Sequence, residues 1–191
     1  MKKELLKTLA IRCREESTEP IVFSGGNPEA SIMLVGEAPG AKEIELGHPF
    51  VGQAGKNLDE FLDTLNLIKE DIYITNVVKI RPYKKNHTTG RKSNRPPKKQ
   101  EIERYSGYLF EEINIIKPKL IITLGNVPLR VLLGEKNAAI GAFHGEAIEQ
   151  ETYHIFPLYH PASIIYNQAL KNTYMKDLYQ LKKYMKHYLS T

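Results

Sequence analysis

The stretch that decides the fold is Ile32-Met33-Leu34-Val35-Gly36-Glu37-Ala38-Pro39-Gly40. Four apolar residues without polar alternation, closed by a glycine, read as a strand buried on both faces. Three more runs of this type follow: Ile72 to Val78, Leu120 to Leu124, and His154 to Leu158. Between them the apolar spacing changes from strand to helix. Leu58, Phe61, Leu62 and Leu65 share one helical face, as do Ile102, Tyr105, Leu109, Ile113 and Ile116. Residues 2–16 read as a polar helix and about 127–133 as a short one. Tyr174, Leu178, Leu181, Met185 and Tyr188 mark a C-terminal helix. Apolar strands alternating with amphipathic helices predict an α/β fold, a three-layer α/β/α sandwich around a central four-stranded, mainly parallel sheet. With 191 residues, no internal repeat and no long linker, residues 1–191 are expected to form a single domain.

Composition narrows the function classes. Hydrophobic residues make up 41% and charged residues 26%, which is a globular balance. One cysteine, Cys13, excludes an intramolecular disulfide and a cysteine-built metal site within one chain. No apolar run reaches the length of a membrane-spanning helix, and Met1 to Leu6 does not read as a signal peptide. A cytoplasmic protein without membrane association is expected. Net charge is +5, and its distribution is uneven. Residues 79–99 hold nine of the 27 basic residues and none of the 22 acidic ones, which leaves 18 against 22 elsewhere, a net −4. A basic segment on a mildly acidic body points to a polyanion, with nucleic acid the first candidate.

Ligand sites of parallel sheets lie beyond the C-terminal strand ends. Four motifs map there. Gly36 to Gly40 follows the first strand and carries Glu37; it matches neither a Walker A loop nor a GxGxxG turn. Phe50 lies in the Gly/Pro-rich stretch 47–55 and offers a flat face for stacking. Asn76 ends the second strand, and its amide presents a donor and an acceptor side by side, as a nucleobase edge requires. His160 follows the fourth strand, where an imidazole can donate to a developing oxyanion. Taken singly, each has a plain structural reading as a turn glycine, a core plug or a packed histidine. Their shared rim is the argument.

Read in order, GEAPG (36–40), GHPFVGQAGKNLDEFL (47–62), YITNVVKIRP (73–82), KPKLIITLG (117–125) and YHPASIIYN (159–167) resemble the uracil-DNA glycosylase superfamily, closest to its family 4 branch, from about residue 5 to 188. The resemblance implies a base-excision repair enzyme, a monofunctional N-glycosyl hydrolase that removes uracil from single- or double-stranded DNA as a monomer. It implies that Glu37 is the acid of the first motif, that Phe50 stacks on the flipped base and Asn76 reads its edge. It further implies that His160 bonds the uracil carbonyl that gains charge, and that Glu43 is a second glutamate near the base, although Ile44 follows it where the family has Asp. Ile164 and Ile165, in the loop after His160, read either as apolar wedges that enter the duplex or as helix core packing, and Lys84, Lys85, Arg91 and Lys92 are expected to contact phosphates. Family 4 enzymes hold a [4Fe–4S] cluster on four cysteines. Here Cys13 matches one ligand while Ile80 and Tyr105 replace others, so the cluster is expected to be absent and no cofactor or metal is expected. A uracil-trapping branch uses a loop histidine; His87 is out of that context and reads as exposed or as a phosphate contact, and Asn94 stands at the corresponding place. The alternatives are a non-catalytic DNA-binding or lesion-sensing protein on the same fold, and a glycosylase for another deaminated base.

Overall fold

A computed structural model describes residues 1–167 and 169–189, with only the backbone described at Gln53, Ala54, Asn57, Ile165 and Tyr166. In chain order the elements are α1 (Lys2–Glu15), β1 (Ser24–Gly26), β2 (Ile32–Gly36), α2 (Ala41–Leu46), α3 (Gln53–Leu65), β3 (Ile72–Asn76), β4 (Tyr83–Lys85) and β5 (Lys92–Asn94). There follow α4 (Lys99–Ile116), β6 (Leu120–Leu124), α5 (Asn126–Leu133), α6 (Ile140–Phe143), β7 (Ile148–Glu149), β8 (His154–Leu158), α7 (Pro161–Tyr166) and α8 (Leu170–Tyr188).

The main sheet has the order β1-β3-β2-β6-β8-β7. Its four central strands are parallel, as the continuous apolar runs require. Two short antiparallel strands, β1 and β7, extend the edges beyond the four strands expected. Each is only two or three residues long, too short to leave a periodic signal.

Alternation along the strands builds the layers. Leu34, Ile74, Ile122 and Phe156 point to one face, where α3 and α8 cover them through Leu58, Phe61, Leu62, Leu178 and Leu181. Met33, Val35, Tyr73, Ile121 and Ile155 point to the other, against α1 and α4 through Leu6, Leu9, Leu109 and Ile113. The result is the expected α/β/α sandwich. The chain passes from β2 outward to β3, then crosses back through α4 to β6 on the opposite side of β2. The switch point therefore lies between β2 and β6, and ligands of such sheets bind in the crevice at that position.

The basic segment carries a hairpin of its own. Tyr83 to Lys85 pairs with Lys92 to Asn94 as an antiparallel hairpin. Its turn is built by Asn86, whose Oδ1 accepts the N–H groups of Thr88 and Thr89 at 2.9 Å. The hairpin base is tied down by Arg95, which forks onto both Glu101 oxygens at 2.7 and 2.8 Å and donates to the Tyr83 carbonyl at 3.1 Å. Short lysine-rich strands carry no apolar alternation, so sequence periodicity does not reveal them. Among the described residues no helix is long and apolar enough to cross a membrane.

Candidate active site

The rim at the C-terminal ends of β2, β3 and β8 gathers the motif residues. Gly36 pairs with Asn76 across β2 and β3. A Cβ added at Gly36 would collide with Asn76 Oδ1 and lie 2.8 Å from Phe50 Cζ. Glycine at this position is therefore what lets the amide of Asn76 and the ring of Phe50 meet over one point of backbone. Asn76 is buried, and its side-chain amide hydrogen-bonds nothing among the described residues. Phe50 is a member of the core cluster shared with α3 and α8, and its backbone sits at φ 54, in the left-handed region. The strain is held by packing: Gly55 in the first turn of α3 lies so close to the Phe50 carbonyl that any side chain there would collide with it.

Glu37 follows Gly36 and is half-buried. Burial pushes its carboxyl above the usual carboxylate range. Its main chain is fixed from β3: the N–H groups of Val77 and Val78 donate to the carbonyls of Gly36 and Glu37, each at 3.0 Å. Glu43, on α2, is buried and accepts the Gly52 N–H at 3.0 Å, so it clasps the loop that carries Phe50. It also crowds Gly40, where a Cβ would lie 2.7 Å from Glu43 Oε2. Ile44 turns instead to a small cleft with Arg81, Tyr83 and Lys92.

His160 is the N-cap of α7, and its Nδ1 accepts the Ala162 N–H at 3.1 Å. That bond assigns the proton to Nε2. Burial lowers the pKa of the ring below the ordinary histidine value, so the group is a neutral imidazole with an Nε2–H donor. Gly125, at φ 87, ends β6 and leaves room beside His160: a Cβ there would lie 3.4 Å from His160 Cβ.

The remaining candidates are more dispersed. Lys84, Lys85, Arg91 and Lys92 are exposed on the hairpin, with the Lys92 ammonium 4.1 Å from the centre of the Tyr83 ring. His87 is exposed in its turn. Asn94 is exposed: its Oδ1 accepts from Arg81 Nε at 2.7 Å, and Nδ2 lies beside Gly40. Ile164 is half-buried against the core cluster of α3 and α8, and the side chain of Ile165 lies outside the described residues.

A [4Fe–4S] cluster needs four thiolates. The chain has one cysteine, and burial pushes the Cys13 thiol up to about 11, which keeps it protonated. Cys13 and Tyr105 are buried in one apolar cluster, Ile80 packs against it, and Tyr105 shares a hydrogen bond of 3.0 Å with Ser17. Among the described residues no group of three or more His, Cys, Asp or Glu could hold a metal ion. The residues present do not fit the cluster.

Sequence reading missed one group beneath this rim: Lys79, Thr75 and Glu112, all fully buried. The available signal was a glutamate within the apolar stripe of α4, three residues after Leu109, and a lysine at the end of an apolar run.

Comparison with known proteins agrees with the motif order. The sequence model of the uracil DNA glycosylase superfamily matches residues 23–181. The chain is 37% identical over 166 residues to a type-4 uracil-DNA glycosylase of Sulfurisphaera tokodaii, covering 83% of this chain and 71% of that protein. It is 30% identical over 195 aligned residues to a type-4 uracil-DNA glycosylase of Thermotoga maritima, covering 97% of each. A type-5 uracil-DNA glycosylase of Pyrobaculum aerophilum is 30% identical over 158 residues, 74% of this chain and 66% of that protein.

The crowding at Gly36 makes a direct prediction. Gly36→Ala is expected to lower stability by about 1–3 kcal/mol, the usual cost of overpacking, as read from urea denaturation. An unchanged midpoint and slope would show that Asn76 and Phe50 do not converge there.

Proposed function

The chain belongs to the uracil DNA glycosylase superfamily, and from that premise we propose that it excises uracil from DNA by hydrolysing the N-glycosidic bond, leaving an abasic site. The observation that carries the reading is the convergence of Asn76 and Phe50 on Gly36, with an unpartnered amide at the ligand-binding end of the sheet. Uracil has a carbonyl beside an N–H, and a carboxamide complements both at once. The Phe50 ring supplies a stacking surface, a contact that contributes about 1–3 kcal/mol per base. Because the target bond is shielded in a stacked duplex, the base must be flipped out to reach this rim.

Bond cleavage leaves negative charge on uracil and positive charge on the sugar. Asn76 ends β3 and His160 follows β8 beside Gly125, with β2 and β6 between those strands, so a base fits between their side chains. In this reading His160 Nε2–H donates to the carbonyl oxygen that gains charge. A neutral donor strengthens its bond as the charge develops, which favours the transition state over the bound substrate. Glu37 faces the sugar, where an ionised carboxylate stabilises positive charge and orients the attacking water. Glu43 acts one step back, through the Gly52 N–H, on the loop that carries Phe50. The hairpin cations Lys84, Lys85, Arg91 and Lys92 hold the phosphates, and Ile164 and Ile165 lie on α7, which starts directly after His160 where a loop was expected, and from which a wedge enters the gap left by the base. No step passes through an iron–sulfur cluster. Residues 1–191 act as one domain, in a cytoplasmic monomer.

Single-turnover cleavage of oligonucleotides bearing one uracil, followed by alkali, tests the reading. The unaltered protein is expected to cut at the uracil. Asn76→Ala and His160→Ala are each expected to lose about 10²–10³-fold in rate with little change in non-specific DNA affinity. Neutralising the four hairpin cations is expected to weaken binding and flatten its salt dependence, with the rate at saturation retained. Tight binding without cutting would leave a DNA-binding protein and sink the enzyme.

The protonation states give a pH profile. The active form has Glu37 ionised, with its pKa raised, and His160 neutral, with its pKa lowered. Either group inactivates by taking up a proton, so the rate is expected to be flat above about pH 6.5, the ordinary histidine value, and to fall on the acid side. A rate that rises as the pH drops below that value would mean that the imidazolium is the active donor.

A further inference from the structure

The amide of Asn76 is only as well placed as the strand end that bears it, and that end is held by a buried ion pair. Lys79 and Glu112 are both 0% exposed. The Lys79 ammonium has three protons and three acceptors: Glu112 Oε2 at 2.5 Å, Thr75 Oγ1 at 2.7 Å and the Asn76 carbonyl at 2.8 Å. Glu112 in turn accepts the Tyr73 hydroxyl at 2.8 Å and lies 3.0 Å from Thr75 Oγ1. Phe23 closes the site, its ring centre 4.9 Å from Lys79 Nζ. One lysine therefore links α4 to the last two residues of β3. Through Val77 and Val78, which donate to the Gly36 and Glu37 carbonyls, the same turn fixes the end of β2.

Stability alone does not account for this arrangement. Withdrawing two charges from water is costly, and an apolar pair of similar volume is commonly as stable or more so. What an apolar pair lacks is direction: three donors aimed at three acceptors define one conformation of residues 75–79. We propose that Lys79 and Glu112 are positioning residues for base recognition, acting through the Asn76 backbone to hold its amide against uracil. The proposal rests on the assignment of Asn76 to the base. Neither side chain touches substrate.

The decisive variant is the paired replacement Lys79→Met with Glu112→Leu, which removes both charges and strands neither. Glu112→Gln is the second, keeping the shape and one carbonyl acceptor for Lys79 while removing the charge and replacing the other acceptor with an amide donor. Each is made in the unaltered protein and in Asn76→Ala, and circular dichroism checks folding. The readouts are the single-turnover rate of uracil release at saturating enzyme and inhibition by free uracil. In the unaltered background the pair is expected to lower the rate about tenfold and to weaken inhibition by a similar factor, with Glu112→Gln intermediate. In the Asn76→Ala background the same changes are expected to alter the rate by less than about twofold, because the group they position is gone. Equal losses in both backgrounds would mean a general structural role, and a full rate in the folded paired variant would remove any role; either result overturns the proposal. If the paired variant does not fold, the same comparison with Glu112→Gln decides. A failure of the unaltered protein to release uracil is a different outcome, and it falls on the glycosylase reading itself.

Discussion

The site depends on a missing side chain. At Gly36 the end of β2 comes so close to Asn76 Oδ1 and the Phe50 ring that no Cβ fits. Everything around the rim follows from holding three segments at that distance. Register pairing of Gly36 with Asn76 brings the amide in from β3. A left-handed backbone at Phe50, clamped by the first turn of α3 and by Glu43 on the Gly52 N–H, brings in the ring. The Lys79–Glu112 pair holds the strand end on the opposite face of the sheet, so the recognition surface is supported from beneath by charge and from the side by packing.

The electrostatics proposed for catalysis follow from burial as much as from residue type. His160 is an ordinary imidazole made a committed donor by two local facts: its Nδ1 is engaged by the Ala162 N–H, and burial disfavours its charged form. Glu37 is pushed the other way by the same desolvation, toward protonation, so both groups share an acid limit. The exposed positive charge proposed to draw DNA lies on the hairpin, whose Asn94 reaches Gly40 at this rim. Nine cations lie in residues 79–99, and the four assigned to phosphate contacts are exposed on a hairpin anchored by Arg95 and Glu101. Cys13 and Tyr105 are buried in one apolar cluster, and Ile80 packs against it.

Much of this was legible in the sequence. The four parallel strands announce themselves as apolar runs, and Glu37, Phe50, Asn76 and His160 each follow or end a strand or lie in a glycine-rich loop, where ligand sites of such sheets occur. Family resemblance then supplied their roles. Other features left no readable mark. β1 and β7 are too short for periodicity, and the hairpin strands are lysine-rich. Glu112 interrupts an apolar helical face, and only three-dimensional pairing with Lys79, 33 residues away in sequence, shows that the interruption is a binding partner. The crowding at Gly36 is a property of backbone approach, which residue identity alone does not encode.

Uracil is proposed to occupy the rim defined by Gly36. A crystal structure of the protein soaked with free uracil tests it most directly. The ring is expected to stack on Phe50, with its carbonyl and N–H paired with the Asn76 amide and His160 Nε2 within hydrogen-bond distance of a carbonyl oxygen. Uracil bound at another surface, or a rim left empty at saturating uracil with the site open to solvent, would contradict it.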